Sequence, residues 1–323
     1  MDLDIKRLEY DIYEGMCHPA EVSERTRNKI VSRWEETTGV FLTEFTRTTE
    51  IKHVRSPQAI DDVVHHLLTV VLFHGCSGDM LSDLFNNNWD SKFRFLTNRL
   101  SAVKKELIVS QSKNVKVIKK IVRFYLLCLL KPVNGPEGLG DKHRAYSEAY
   151  STLCHLFTLI KVQKMFSNDD LEFWTYYFFM NLKDINTLNL CVDVFQSHPS
   201  TFKLCLNVYK TLNDGNYHRL YKLFIRDLTT LQRASLCKEI GGMRSRMFST
   251  IISGYKHPTA SYSLLKVRQH GLFLEEELIG VLDSFEMKHD TIGLILKGQN
   301  TVVDGAFIDI NIDFETEDLS VLL

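Results

Sequence analysis

Residues 113–130 read Lys113-Asn114-Val115-Lys116-Val117-Ile118-Lys119-Lys120-Ile121-Val122-Arg123-Phe124-Tyr125-Leu126-Leu127-Cys128-Leu129-Leu130. Val117, Ile118, Ile121, Val122 and Tyr125 recur at the three- and four-residue spacing of one helix stripe. Lys113, Lys116, Lys119, Lys120 and Arg123 fall along the other. An apolar stripe has to be covered by a neighbour, so the segment predicts an amphipathic helix over about 114–130 packed into a helical core. The cations are left on the opposite face, which is either simply solvated or a contact surface for polyanions.

The same reading extends in both directions. Upstream, residues 90–109 predict a second long basic helix, parted from the first by Ser110-Gln111-Ser112. Residues 20–37 predict a single helix ended by Thr38-Gly39. Pro57 suits a first helical turn, with Ala59, Ile60, Val63, Val64, Leu67 and Leu68 following at helical spacing. A loop through His74-Gly75-Cys76-Ser77-Gly78 leads to a short helix around Met80–Phe85. Downstream, Pro132–Gly140 is dense in Pro and Gly and predicts an exposed loop, where a protease would cut first. From 143 to about 255, apolar-patterned segments alternate with short polar breaks. These fall near Ser167–Asp170, Lys183-Asp184, His198-Pro199, Asn213-Asp214-Gly215, Asp227 and Gly241-Gly242. Asp169 and Ser200 are expected N-caps. Antiparallel pairs of this kind predict stacked helical hairpins, a solenoid without a sharp sequence repeat.

The character changes near the end. Helices at about 260–269 and 275–284 precede apolar runs at Thr291–Lys297, Val302–Val303 and Ala306–Phe314. The last of these alternates apolar with small or acidic residues, as a strand does. Turns are expected at Gly298-Gln299-Asn300 and Asp304-Gly305. Helices followed by a small antiparallel sheet predict a winged helix. The fold class expected is therefore mainly α, a helical-hairpin solenoid over 1–255 ending in a winged helix with a small antiparallel β-sheet over 256–314, then an acidic tail over 315–323.

Composition bounds the function classes. The chain has 323 residues, 44% hydrophobic and 24% charged, with 6 Pro and 16 Gly. That balance excludes a disordered or collagen-like chain and suits about two domains. The longest apolar runs, Leu67–Phe73 and Tyr125–Leu130, fall far short of the ~20 residues that span a bilayer. The charged start Met1-Asp2-Leu3-Asp4-Ile5-Lys6-Arg7 has no signal-peptide core. The 7 cysteines are widely spaced without a C-x-x-C pair, which predicts reduced thiols in the cytosol or nucleus. Net charge is −1 overall, yet residues 89–144 carry +9, residues 202–256 carry +7 and residues 257–323 carry −8. Basic blocks of this kind attract nucleic acid or acidic protein, or complement the acidic stretches within one fold.

Catalytic signatures do not emerge. Phosphate-loop, dinucleotide-binding, zinc-protease and nucleophile-elbow patterns are all missing from the sequence. Gly75-Cys76-Ser77-Gly78 has the wrong spacing for a nucleophile turn. His65-His66 and His74 lack a second ligand cluster and read better as a polar helix edge and a loop. Glu275-Glu276-Glu277 fits a helix start. No metal, cofactor or catalytic residue is expected, and the protein is not expected to be an enzyme.

Several segments together resemble the SAC/GANP domain, the family of the germinal-centre-associated nuclear protein. Gly15-Met16-Cys17-His18-Pro19-Ala20-Glu21 with Arg25 is similar to the family's opening Met-Cys-Pro…Glu…Arg, with His18 inserted. Phe45-Thr46-Arg47-Thr48-Thr49 resembles Phe-Ser-Arg-Ser-Ser, and Arg55-Ser56-Pro57 falls where an Arg-Pro element is expected. Trp89–Phe93 and Asn98–Leu107, with Arg99, resemble the helix Arg-x-Arg-Ala-Val-Arg-x-Asp. Arg123-Phe124-Tyr125 is similar to Arg-Phe-His, and Glu172-Phe173 with Tyr176 to Glu-Phe-x-x-Tyr. Gly215-Asn216-Tyr217-His218-Arg219-Leu220-Tyr221-Lys222-Leu223 is close to Gly-Asn-Tyr-x-Arg-Phe-Phe-x-Leu. The pieces run in the family's order over about 15–255.

What the resemblance implies is a TPR/PCI-like helical body leading into a winged helix, acting as a scaffold. Its implied partners are a PCI-domain protein and a small acidic DSS-type protein. The winged helices would form a nucleic-acid platform in messenger-RNA export, in the nucleus and cytoplasm and at the nuclear pore. The Phe-Gly-rich region, acetyltransferase-like extension and centrin-binding helix of the large members are not seen in this sequence. It is therefore expected to resemble the short branch, for which the alternative is a centrosome- or spindle-associated interaction protein. Arg244, Arg246, Lys256, Lys266 and Arg268 are the expected RNA-facing set, and Lys113, Lys116, Lys120 and Arg123 a second cationic face. The Gly215–Leu223 turn is expected to pack between repeats.

Overall fold

The structure is a computed structural model that describes residues 11–45, 53–76, 84–85, 88–131, 136–163, 167–254, 261–272, 278–279, 282 and 293–295. The described residues are mainly helical and divide into two compact units. The first runs to Phe124 and takes in His155 onward to residue 163; the second holds Tyr125–Cys154 and the described residues from 167 onward.

In the first unit, strand β1 (Asp11–Tyr13) pairs parallel with β2 (His53–Arg55), in the register Asp11↔His53 and Tyr13↔Arg55. Between them lie α1 (Pro19–Arg27) and α2 (Arg33–Thr38). The single helix expected over 20–37 is therefore two. Lys29 turns the chain at φ 56°, and the Arg25 guanidinium holds the turn by donating to the Ile30 carbonyl at 3.2 Å. Ser32 restarts the helix with a capping box to Glu35, and Gly39 ends it at φ 70°. Helix α3 (Pro57–His65) starts as predicted, with Pro57 in its first turn and Ser56 Oγ accepting from the Ala59 N–H. It continues into a π-helical segment, His66–Val71, where Leu72 N–H reaches Leu67 O. Helix α4 (Trp89–Val109) and the first part of α5 (Val115–Cys128) complete the unit. Val117, Ile118, Ile121, Val122 and Tyr125 are all 2% exposed or less, the stripe that the sequence predicts.

The second unit is built from α6 (Pro136–Gln163) as far as Cys154, with α7 (Asp170–Met180), α8 (Ile185–Phe195), α9 (Pro199–Asn213), α10 (Tyr217–Arg226), α11 (Thr230–Ser235) and α12 (Cys237–Gly254). Strand β3 (Ser261–Ser263) is antiparallel to β4 (Gly293–Ile295), and α13 (Leu264–Gly271) follows β3 directly. Successive helices pack together: α7 on α8, α9 on α10, α11 on α12. Helices distant in sequence, α7 with α11 and α10 with α13, also pack together.

The turn between α9 and α10 shows how two residues make a hairpin. Gly215 takes φ 64°, letting the Asn216 N–H reach back to Thr211 O at 3.1 Å and close α9. The Asn216 side chain then accepts from the Arg219 N–H at 3.1 Å and opens α10. Leu220, Leu223 and Phe224 carry α10 into the core, while Tyr217 and Tyr221 are half-buried.

Several expectations are corrected. Residues 136–140 belong to α6, because Pro136 fits an N-terminal helical position; the rest of the predicted loop, 132–135, lies outside the described residues. Gly241-Gly242 does not break the chain but sits inside α12, held by the buried neighbours Ile240, Met243 and Met247. Ser200 lies within α9, whose first residue is Pro199, and His198 is the N-cap. Asp169 is the N-cap residue of α7, as expected, but its side chain makes no capping hydrogen bond; Asp170 accepts from the Ser167 N–H at 2.7 Å. The antiparallel pair expected after residue 256 is β3–β4, and a second, separate two-stranded sheet that was not expected, β1–β2, is parallel. Helix α13 packs on α10 and α12 within the second unit. The strands expected at Val302–Val303 and Ala306–Phe314, and the 315–323 tail, lie outside the described residues.

Candidate nucleic-acid interface

The expected RNA-facing cations have unlike fates. Arg244 is 0% exposed. Its Nε donates to Gly271 O at 2.7 Å and an Nη to Leu272 O at 2.6 Å, closing the carboxyl end of α13. Leu272 there adopts the left-handed conformation at φ 55°, so both carbonyls turn toward the guanidinium. Arg244 is thus a buried tie between α12 and α13, which corrects its assignment to a phosphate-facing surface. The signal that could have revealed this was its place within the apolar stripe Met243, Met247 and Phe248.

Arg246 is exposed and reaches Leu212 O at 3.3 Å; Lys266 is exposed and Arg268 is half-buried. Lys256 lies outside the described residues. His270, one turn from Lys266, meets His218 edge-on at 5.6 Å. Burial, then the neighbouring His218 and Lys266, hold its imidazole below the usual range. On α5, Lys113 and Lys116 are exposed, while Lys120 and Arg123 are half-buried. Lys116 and Lys120 border a pocket whose opposite wall is Asp61, Asp62 and His65 of α3. Carboxylates in that position dilute the cationic face that the sequence suggested.

Of the residues singled out by motif, most are interior. Arg25 is 6% exposed, and its guanidinium pairs with Glu35 and donates to Leu42 O at 3.0 Å. Arg99 bridges Glu35 at 3.2 Å and Glu44 at 2.9 Å. Burial alone would raise the Glu35 carboxyl. The Arg25 guanidinium, the Leu42 and Ser32 N–H groups and Arg99 outweigh it and hold the carboxyl below the usual range. Arg55 grips Glu106 through two bonds, at 2.8 and 2.9 Å, with both residues buried. Phe124 and Phe173 are fully buried, and Glu172 accepts from the Tyr176 hydroxyl at 2.5 Å. Phe45 stays 41% exposed under the Lys105 ammonium, and Arg47 lies outside the described residues. Sequence reasoning missed Glu35, Glu44 and Glu106. Their partners are 10 to 64 residues away, a distance at which no local spacing signals a pair.

Burial pushes the thiol of Cys191 up to about 12, and none of the seven cysteines forms a disulfide. Among the described residues, no group of three or more His, Cys, Asp or Glu side chains gathers to hold a metal. No helix among them is long and apolar enough to cross a membrane.

The described residues make a mainly helical protein with buried ion networks and scattered exposed cations. The model of the SAC3/GANP family matches residues 16–290, and the chain belongs to that family. No curated protein matches it.

Proposed function

We propose that the protein is a non-catalytic scaffold of messenger-RNA export that pairs with a PCI-domain protein and a small acidic DSS-type protein and binds nucleic acid. The family match over residues 16–290 carries this reading. The short antiparallel pair β3–β4 around α13 is the start of a winged helix, and the successive helix pairs before it are the turns of a solenoid. The nucleus and cytoplasm are the compartments where such a scaffold works.

Arg246 and Lys266 are the exposed cations that would meet phosphates, with Lys113 on the first unit as an outlying contact. Such contacts release counterions, so binding weakens steeply with salt and reads little sequence. The test is fluorescence anisotropy with a single-stranded RNA across a salt series, using Arg246→Glu with Lys266→Glu. The double variant is expected to bind about tenfold more weakly at low salt and to reduce the salt slope by about two. Unchanged affinity and slope would contradict the interface. Arg244→Glu is unsuitable for this purpose because it would bury an anion against two carbonyls.

A further inference from the structure

Helices α3 and α5 border a half-open pocket of about 260 Å³. Asp61, Asp62 and His65 stand on the α3 side and Lys116 and Lys120 on the α5 side, with Val64 and Val117 between them. The valines are buried, at 1% and 2% exposure, and give the pocket an apolar floor. Asp61 and His65 are one turn apart on α3, and Lys116 and Lys120 one turn apart on α5, so each helix aims two groups at the same space.

The charges do not cancel across the gap. Asp61 accepts from the Asn114 amide at 2.9 Å and Asp62 from the Gln58 amide at 2.9 Å. No carboxylate of the pocket comes within ion-pair distance of Lys116, Lys120 or His65. Two like charges one turn apart on a helix repel each other. An acidic wall and a basic wall held apart over an apolar floor match a ligand that carries both signs. A purely polyanionic strand would gain the lysines but meet Asp61 and Asp62.

We propose that this pocket binds a small zwitterionic group: a carboxylate taken by Lys116 and Lys120, a cation taken by Asp62 and Asp61, and an aliphatic stem lying on Val64 and Val117. The volume suits one amino-acid-sized unit, so the source is a free basic amino acid or the carboxyl-terminal residue of a peptide. The site is independent of the nucleic-acid reading, which rests on Arg246 and Lys266.

The experiment is a calorimetric titration of the full chain with four probes: L-arginine, a peptide ending in arginine, agmatine (the cation without the carboxylate) and inorganic phosphate. Saturable binding of L-arginine identifies a free ligand, and binding of the peptide alone identifies a chain terminus; either supports the site. Asp62→Asn and Lys116→Gln, both at exposed positions, are each expected to weaken that binding by about tenfold or more, with melting temperature monitored to show intact folding. Agmatine or phosphate binding as tightly as either zwitterion, or binding insensitive to both variants, would overturn the proposal. So would silence from both zwitterions. An RNA oligonucleotide that binds more tightly to Asp62→Asn and less tightly to Lys116→Gln, with no zwitterion bound, would make the wall a phosphate track and overturn it as well.

Discussion

In the first unit, Arg25, Arg55, Lys92 and Arg99 lie inside together with Glu35 and Glu106; in the second, the interior is filled by Phe173, Tyr176, Phe178, Phe179, Phe195 and Phe224, with Arg244 the largest charged exception. The charged interior of the first unit gathers around its short pieces, three-residue strands and helices of six and nine residues. Such pieces bury little apolar area and leave many backbone groups without partners. A buried guanidinium or ammonium supplies several donors at once. Arg25 joins Ile30 O, Leu42 O and Glu35, and Lys92 joins Leu72 O and His74 O at 2.8 and 3.1 Å, closing the end of the π-helical segment. Burial holds the Lys92 ammonium below its usual range, with the nearby Cys76 opposing that shift. In the second unit α7–α10 each run 10 residues or more and pack on helices next to them in sequence, and rings such as Phe178 against Phe195, 5.8 Å apart, fill the space.

Acid should separate the two regions most strongly. The Glu35 pKa is lowered in the folded state, so its contribution is present above the unfolded carboxylate range and is lost as pH falls through the folded value. A protonated Glu35 leaves Arg25 and Arg99 buried against a neutral acid. Hydrogen exchange followed from pH 7 downward should show α1, α2 and α4 losing protection before α7–α10. Simultaneous loss would break the comparison.

Next in size is Glu106→Ala, which strands Arg55 in the interior and should cost about 3–5 kcal/mol in urea unfolding. Phe173→Ala should cost a similar amount, about 3–5 kcal/mol, through the cavity it opens, without the dependence on salt expected for the charge variant. An identical salt dependence for the two would contradict the division. A smaller effect, about 2–4 kcal/mol, is expected for Arg244→Ala, which leaves the Gly271 and Leu272 carbonyls without that donor. Its mark would be faster exchange within α13, and an unchanged α13 would refute the tie. Smallest is Gly215→Ala, where a side chain at φ 64° should cost about 1–2 kcal/mol by thermal melting.

The amphipathic stripe of α5, the start at Pro57 and the Gly215-Asn216 turn were legible because each is encoded within a few neighbouring residues. The α1–α2 break was not: Lys29 carries no turn signal, and the Arg25 side chain that shapes the turn comes from the preceding helix. Pro136 and Gly241-Gly242 misled in the opposite direction, since packing around Ile240 and Met243 outweighs the local cost of glycine in a helix. At the candidate interface, spacing located the cations but not their depth. Arg244 and Arg246 are two residues apart, yet one is buried and the other exposed, and only the packing of α13 decides which.

The family places this chain among scaffolds, so the most direct measurement is native affinity purification near physiological salt, with and without ribonuclease, identifying the proteins retained. Ribonuclease-resistant recovery of a PCI-domain protein with a small acidic protein is the expected result. Recovery of centrosomal or spindle proteins in their place would contradict it.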